Sequence, residues 1–298
     1  VDLVFEKIKE ALNDNMHLIL NADDPYLQKF NLDNKYKVTY YGISNNKYTY
    51  KNNKFNNINM YYCPKCMKKL KYNYYHFEAI GDYYCDCGFK RPNIDYYATN
   101  INLDKSIMTI NNKYDINISF NVLYYAYNIL ASYSVCKLVG LDESDISKYI
   151  SSMENNKKLN DSYKYKNRCV YVMNNKNENS TTFNESVLFT ENHKTERTIV
   201  IGWKEISRRY EFNDMSWLYD IEFELLNTKY TDKVICVGRD KYSIATRMKY
   251  AGFSDDKIRV YDTLEDAEKM IKNKSKGDIF AILNFDYVKP FNEMMGRD

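Results

Sequence analysis

The hydrophobic pattern in the first half of the chain indicates mixed α/β structure. Short apolar runs at 18–20 and 37–43 predict strands, and alternating apolar and polar positions over 96–120 predict antiparallel strands. The antiparallel strands are predicted to turn at Asn111 and Asn112, because asparagine tolerates tight turns. Helical periodicity predicts three helices, at residues 1–12, 121–139 and 143–153.

A polar stretch separates the two halves of the chain. Residues 154–166 read ENNKKLNDSYKYK and show no apolar periodicity, so they are predicted to form a domain boundary. The helix before this stretch is predicted to be capped by Ser144 or Glu143. The sequence therefore predicts two domains, 1–155 and 163–298.

The second half alternates regularly between short β-rich runs and helical patterns. The predicted strands are 169–173, 198–202, 233–238, 257–261 and 278–283. The predicted helices are 182–191, 215–227, 240–251 and 263–273. This alternation is typical of right-handed βαβ units and a parallel sheet, whose ligands lie beyond the carboxyl ends of the strands. The segments 202–217 and 238–240 follow two such ends.

Composition and charge exclude several classes of protein. The 298 residues carry 43 basic and 40 acidic side chains, so a net charge of +3 gives no reason to expect a nucleic-acid partner, even though lysines and tyrosines crowd residues 65–75. No run approaches the roughly 18 apolar residues that span a bilayer, and no leader opens the sequence, so we expect a cytoplasmic protein without a transmembrane segment. The chain begins at Val1 within a helical pattern, and we expect upstream sequence to be missing.

Four of the seven cysteines lie close together and have the spacing of a metal site. Cys63 and Cys66 form a C-x-x-C pair, and Cys85 and Cys87 form a C-x-C pair followed by Gly88. Two short pairs brought together by a hairpin supply the four soft ligands that zinc prefers. Because the protein would fill all four positions, the predicted zinc is structural, in a ribbon at about residues 61–92.

The shorter second pair leaves the fourth zinc ligand open, and His76 is the alternative to a cysteine. The remaining cysteines, Cys136, Cys169 and Cys236, lie in apolar runs and are predicted to be core residues. The three histidines form no catalytic pattern in the sequence, so nucleophilic catalysis within this chain is not expected.

Several segments taken in order resemble the MurT-type branch of the Mur ligase family. They are LILNADDPYL, the cysteine ribbon, LYYAYNILASYSV, ERTIVIG, NDMSWLYDIEFE and CVGRDKYSIATRMKYAGF. The resemblance covers nearly the whole chain. It implies an α/β fold in which residues 1–155 are the last part of a Mur-ligase-type central ATPase domain with an inserted zinc ribbon. Residues 163–298 would be a Rossmann-like parallel-sheet domain.

The resemblance also implies an activity and a partner. Members of this branch are ligases that bind a GatD-type glutaminase as a heterodimer. They amidate the α-carboxylate of D-glutamate in the stem peptide of lipid II, at the membrane surface, during peptidoglycan biosynthesis. ATP with Mg converts the carboxylate to an acyl phosphate, which ammonia from the glutaminase attacks. The ATP site would be completed by the missing upstream sequence, since no phosphate-binding loop is present in this chain.

One aspartate is implied to act in the partner's active site. In the D-x-S-W segment, Asp214 would orient the imidazole of the glutaminase's Cys-His pair as the third member of a triad. Asp220 is the alternative, and we prefer Asp214. The alternative interpretation is that Asp214 merely caps a helix that begins near Met215, and both roles are compatible.

The nucleotide side departs from the family pattern. The Y-N-x-Y-N segment retains Asn128 but has Tyr125 in place of the first asparagine, and Ser152 stands where the family has arginine. Asn21 and Asp23, together with Asp24, match N-A-D-D-P and are expected either to shape the nucleotide site or simply to form the turn that ends a strand. A degenerate, zinc-stabilised relative that binds a partner without ligase activity is therefore the alternative function.

Overall fold

The chain forms two compact units, Val1–Asn156 and Lys157–Asp298. The computed structural model describes residues 2–55, 61–103, 105–117, 123–153, 160–175, 180–204 and 215–297. Each unit is built on its own sheet, with helices packed against it.

The first unit contains a five-stranded mixed sheet. Its strands are β1 (His17–Asn21), β2 (Lys37–Ile43), β5 (Tyr96–Asn102), β6 (Ile107–Ile110) and β7 (Tyr114–Asn117). They lie in the order β1-β2-β5-β6-β7, with β1, β2 and β5 parallel and β5, β6 and β7 antiparallel. The turn predicted at Asn111 and Asn112 is confirmed, and both residues have positive φ, as a tight hairpin requires.

In the described part of the first unit, three α-helices and one short 3₁₀ helix, Leu27–Asn31, accompany the strands. The α-helices are α1 (Asp2–Ala11), α2 (Leu123–Leu138) and α3 (Glu143–Ser152). Helix α2 buries one face against the sheet through residues such as Ala126 and Leu130, while Gly140, at φ 90°, follows its last turn. The predicted cap of α3 was wrong, because the side chain of Asp142 accepts the hydrogen bond from the Ser144 N–H at 2.7 Å.

A two-stranded hairpin is inserted between β2 and β5. Its strands β3 (Lys71–Phe77) and β4 (Ile80–Tyr84) are antiparallel and form a sheet of their own. Leu70 and Tyr83 are buried beside Cys63 and Cys85, so the hairpin and the cysteines share a small separate core.

The second unit contains a six-stranded sheet that is parallel except at one edge. Its strands are β8 (Asn160–Tyr165), β9 (Arg168–Asn175), β10 (Arg197–Trp203), β11 (Thr231–Gly238), β12 (Ile258–Tyr261) and β13 (Asp278–Asn284). The order is β12-β11-β10-β13-β9-β8, and only β8 is antiparallel to its neighbour. Strand β8 corrects the prediction that all of 154–166 is a linker; residues 154–159 lie outside the described part of the chain.

Helices cover both faces of this sheet. They are α4 (Ser180–Asn192), α5 (Lys241–Tyr250), α6 (Leu264–Lys269) and α7 (Phe285–Met294). Along β13, Phe280 and Ile282 face one core while Ile279, Ala281 and Leu283 face the other. Burial on both faces explains why the strands read as continuous apolar runs.

The predicted helix 215–227 was wrong. Two short 3₁₀ helices, Ser216–Asp220 and Phe223–Leu226, occupy this segment. Arg247 donates to the carbonyl oxygens of Leu218 at 3.1 Å and Ile221 at 2.6 Å. These carbonyls are therefore engaged by a side chain, and the backbone does not continue into a regular helix.

Candidate functional site

The four predicted metal ligands come together at one end of the hairpin. The sulfur atoms of Cys63 and Cys87 are 3.6 Å apart, and those of Cys66 and Cys85 are 3.5 Å apart. All four sulfurs lie within 4.8 Å of one another. Zinc bonds to thiolate of about 2.3 Å place the sulfurs of a tetrahedral site roughly 3.8 Å apart. The cluster therefore fits a zinc ion in both size and ligand chemistry.

Each cysteine pair sits on a tight turn that points its sulfurs inward. In the first turn, the N–H of Met67 donates to the carbonyl of Cys63 at 2.8 Å, and Met67 has φ 58°. In the second, the Gly88 N–H donates to the carbonyl of Cys85 at 3.0 Å, and Gly88 has φ 88°. The second turn is one residue shorter, and it still brings the sulfur of Cys87 into the cluster.

The thiols at this site have divergent acidities. Burial raises the pKa of Cys63 to about 12, whereas the backbone N–H of Phe89 lowers the pKa of Cys87 to about 7. Cys87 is also the exposed member of the cluster. Metal binding requires thiolates, so a bound cation would provide the charge that the buried Cys63 thiolate needs.

His76 lies away from the cysteines and is not their fourth ligand. Its Nε2 atom is 2.8 Å from the carbonyl oxygen of Ile43 and 3.8 Å from Asp23 Oδ2. Because a carbonyl oxygen can only accept, the contact with Ile43 identifies Nε2 as a donor that carries a proton. His76 thus joins a second buried cluster, which sequence reasoning did not anticipate.

The second cluster surrounds the fully buried carboxylate of Asp23, immediately beyond the carboxyl end of β1. Asp23 Oδ2 accepts from the Ile43 N–H at 2.7 Å and from the Tyr127 hydroxyl at 2.7 Å. Its Oδ1 accepts from Arg91 Nε at 2.6 Å, and Arg91 Nη2 forms an ion pair with the same oxygen. Gly42 permits this approach, because a Cβ there would lie 2.8 Å from Asp23 Oδ1.

The neighbouring N-A-D-D-P residues form turns. Asn21 Oδ1 accepts from the Asp23 N–H at 3.0 Å, and Asp24 Oδ1 accepts from the Tyr26 N–H at 2.8 Å. These bonds end β1 in the way that asparagine and aspartate favour. Burial raises the pKa of Asp24. A nucleotide role for Asn21 and Asp23 stays a prediction.

The buried imidazole of His76 predicts an acid-sensitive stability. Burial lowers the pKa of His76 below 6.5, with Arg91 contributing in the same direction and Asp23 and Asp82 opposing it. The unfolded chain therefore takes up a proton near pH 6.5 while the folded chain does not, so the free energy of unfolding falls as the pH drops below that value. We expect a slope of up to about 1.4 kcal/mol per pH unit, which replacement by glutamine removes.

The measurement is calorimetric unfolding of the native protein and His76→Gln between pH 5 and pH 8. The difference between the two curves isolates His76, because all other titrating groups are common to both proteins. Parallel pH profiles would contradict the assignment.

The residues discussed for the nucleotide side lie on α2 and α3. Asn128 is exposed, and its backbone carbonyl accepts from the Ser132 hydroxyl at 3.0 Å. Tyr125 is half-buried against the core of the first unit. Ser152, at the end of α3, donates its hydroxyl to the carbonyl of Tyr149 at 2.8 Å.

In the second unit, the carboxyl end of β10 is hydrogen-bonded to aspartates that follow its two neighbouring strands, β11 and β13. Trp203 Nε1 donates to Asp240 Oδ2 at 2.9 Å, and the Lys204 N–H donates to Asp286 Oδ2 at 3.0 Å. Strand β13 follows β12 in the chain but lies between β10 and β9, so the strand order reverses after β12. Ligands of open α/β sheets bind beyond the carboxyl ends of the strands, where the strand order reverses.

Of the two candidate triad residues, the structure describes only Asp220. Asp214 lies outside the described residues, and so does most of the segment that precedes it. Asp220 is exposed at the end of a 3₁₀ helix, and its carbonyl accepts from Asn184 Nδ2 at 3.1 Å. The choice between these two aspartates stays a prediction.

Comparisons with known proteins bear on the whole chain. Residues 176–287 match the family described as MurT ligase C-terminal. The subunit MurT of the glutamine-hydrolysing lipid II isoglutaminyl synthase of Staphylococcus aureus (strain COL) is 28% identical over 300 residues, covering 100% of this chain and 66% of that protein. The chain resembles MurT. The resemblance predicted from the sequence is confirmed, and the chain spans slightly less than two thirds of the length of MurT.

Two solved ligase structures share the fold of this chain. A pseudomurein peptide ligase type C from Methanothermus fervidus superposes with a TM-score of 0.70 at 22% identity, over 98% of this chain and 58% of that one. MurF from Acinetobacter baumannii gives a TM-score of 0.59 at 10% identity, over 99% of this chain and 56% of that one. At these identities the likeness establishes the fold. Within the described residues, no helix is both long and apolar enough to cross a bilayer.

Proposed function

We propose that this chain is part of a MurT-like ligase, which amidates the α-carboxylate of D-glutamate in lipid II with ammonia from a partner glutaminase. The observation that carries the proposal is the resemblance to MurT over the entire chain, with the C-terminal family match at residues 176–287. The fold likeness to Mur ligases supports it.

The reaction needs two steps because a carboxylate is a poor electrophile at neutral pH. The γ-phosphoryl group of ATP passes to a carboxylate oxygen and leaves ADP, which gives an acyl phosphate. Ammonia then attacks the acyl carbon, inorganic phosphate departs with the carbon–oxygen bond electrons, and the nitrogen loses a proton. In this proposal, Mg accompanies the nucleotide, and Asn128 contacts the adenine side.

The four cysteines are proposed to hold a structural zinc ion. Cys63, Cys66, Cys85 and Cys87 already occupy the four corners of a site of the right size. The metal would keep the hairpin folded, and it would have no open position for a substrate.

The partner is proposed to be a GatD-type glutaminase, completed by an aspartate of this chain. We assign this role to Asp214, with Asp220 as the alternative. A carboxylate beside an imidazole fixes its tautomer and stabilises the imidazolium, so its loss disables glutamine hydrolysis without touching the ligase chemistry.

The test uses the full-length protein with its glutaminase and compares Asp214→Asn with Asp220→Asn. We expect Asp214→Asn to lower glutamine-dependent amidation by a factor on the order of 10⁴, the loss seen when a triad aspartate becomes asparagine. Amidation driven by added ammonium salt should be unchanged, as should co-purification of the two subunits.

The outcomes separate the proposals. Loss with Asp220→Asn alone would move the triad role to Asp220, and retained activity in both variants would remove the role altogether. Absence of amidation by the native complex with either nitrogen source would overturn the ligase assignment in favour of a degenerate, partner-binding relative.

A further inference from the structure

Three separate parts of the first unit meet at the carboxylate of Asp23. The first is the end of β2, whose Ile43 N–H donates to Oδ2. The second is the segment that leaves the cysteine hairpin, represented by Arg91. The third is α2, represented by the Tyr127 hydroxyl. The side chain of Asp23 has no solvent exposure.

The hairpin is attached at this point by more than one bond. Besides its contact with Asp23, Arg91 donates through Nη2 to the Ile43 carbonyl at 2.8 Å and through Nη1 to the Tyr74 hydroxyl at 3.1 Å. The Gly81 N–H donates to the Asp23 backbone carbonyl at 2.9 Å. The contacts come from both strands of the hairpin and from its exit, so the orientation of the hairpin is fixed relative to the ends of β1 and β2.

On the other side, the same carboxylate fixes α2. Tyr127 is buried, and its ring lies 6.5 Å from that of His76. Asn128 is the next residue along the helix and is exposed. Successive residues of an α-helix are rotated by about 100° and separated by 1.5 Å, so a bond that fixes Tyr127 also sets the direction in which Asn128 points.

The position of the cluster is where a ligand is expected. Asp23 and Ile43 lie at the carboxyl ends of the parallel strands β1 and β2, and ligands of α/β sheets bind beyond such ends. A network that holds a helix at this edge therefore affects binding without itself touching the ligand.

We propose that Asp23, Arg91 and Tyr127 are positioning residues, through which the cysteine hairpin holds α2 in the orientation that presents Asn128 to the nucleotide. The inference rests on the proposed function in that it takes the ligand to be ATP or ADP. It changes the role of Asp23 from a nucleotide contact to a support, and it gives the hairpin a part in nucleotide affinity.

The test measures ADP binding by the full-length protein with Tyr127→Phe, which removes only the hydroxyl. The bond joins a hydroxyl to a buried carboxylate, and we expect its loss to raise the dissociation constant of ADP by up to roughly 10-fold, the factor reached when its whole free energy acts on the orientation of α2. The KM for ATP should rise by a similar factor while kcat stays near the native value. Tyr133→Phe is the matched control, because Tyr133 is a buried tyrosine of the same helix whose ring packs on Tyr96.

A second variant tests the link to the hairpin. Arg91→Lys retains the positive charge but lacks the planar guanidinium that reaches Asp23, the Ile43 carbonyl and the Tyr74 hydroxyl together, so it should weaken ADP binding as well. Because both substitutions act through Asp23, the double variant with Tyr127→Phe should lose less affinity than the product of the two single losses. Thermal unfolding of each variant identifies any that fail to fold.

Two results would overturn the inference. An unchanged ADP dissociation constant in a folded Tyr127→Phe protein would reject it while leaving the proposed function intact. Equal losses of ADP affinity in Tyr127→Phe and Tyr133→Phe would show that the hydroxyl of Tyr127 has no specific positioning role beyond the packing of α2. If the native full-length protein binds no ADP, both the proposed function and this inference fall.

Discussion

Replacement of Asp23 by asparagine is expected to lower the free energy of unfolding of the first unit by about 3 kcal/mol. Breaking a buried ion pair from one side costs roughly 3–5 kcal/mol, because the remaining charge stays buried without compensation. The lower end applies here, since the side chain of Arg91 retains 12% exposure. In either orientation, the NH₂ group of an asparagine would face a donor, the Ile43 N–H at one oxygen position or the Arg91 guanidinium at the other.

Thermal and urea unfolding of Asp23→Asn measure this loss. Asp14→Asn is the control, because Asp14 forms an ion pair with Lys35 on the surface of the same unit at 2.6 Å, with 78% of its side chain exposed. We expect no measurable change from the control, since exposed pairs contribute little. Similar stabilities for Asp23→Asn and the native protein would show that the negative charge of Asp23 is not needed to compensate the buried charge of Arg91.

Removal of the metal is expected to produce the second large effect. Purified under reducing conditions, the native protein should contain one zinc ion per chain. Cys63→Ser replaces a fully buried ligand and should abolish stoichiometric zinc, with a fall in the melting temperature of the first unit of roughly 10 °C. The small core around Leu70 and Tyr83 is too limited to hold the hairpin without the metal.

Elemental analysis and calorimetry together decide this prediction. Cys136→Ser is the matched control, because Cys136 is a half-buried thiol of α2 outside the cluster. The control should retain full zinc. A native protein that contains no stoichiometric zinc, or a Cys63→Ser variant that keeps its metal, would contradict the assignment.

Local sequence signals determined which parts of the fold could be predicted. The five parallel strands of the second unit were predicted, because burial on both faces makes them short continuous apolar runs. The turn at Asn111 and Asn112 was predicted from side chains that tolerate positive φ. Helix α7 was missed, because Pro290 lies inside it and interrupts the helical signal.

The failures of prediction involve contacts between distant residues. The segment 215–227 has a helical pattern, yet Arg247 binds its carbonyl groups from a helix 29 and 26 residues away in the sequence. A local pattern carries no information about such a side chain. The edge strand β8 was likewise hidden, since only its pairing with β9 distinguishes it from a polar linker.

The same contrast applies to the candidate sites. The cysteine cluster could be predicted because pairs of an uncommon residue at short spacing are visible in the sequence. The cluster around Asp23 could not, because Arg91 and Tyr127 lie 68 and 104 residues away from it. Arg91 stands in no motif that the sequence analysis used, and Tyr127 belongs to the Y-N-x-Y-N segment, which does not indicate its partner. Only the fold brings them to the end of β1.

The position of β13 has a consequence for biosynthesis. This strand pairs with β10 on one side and with β9 on the other, although it is made after every other strand of its sheet. During synthesis on the ribosome, the edges of β9 and β10 that pair with β13 therefore stay unpaired until residues 278–284 emerge. A nascent chain stalled before Asp278 would expose one unpaired edge on each of two apolar strands, and such edges are prone to aggregation.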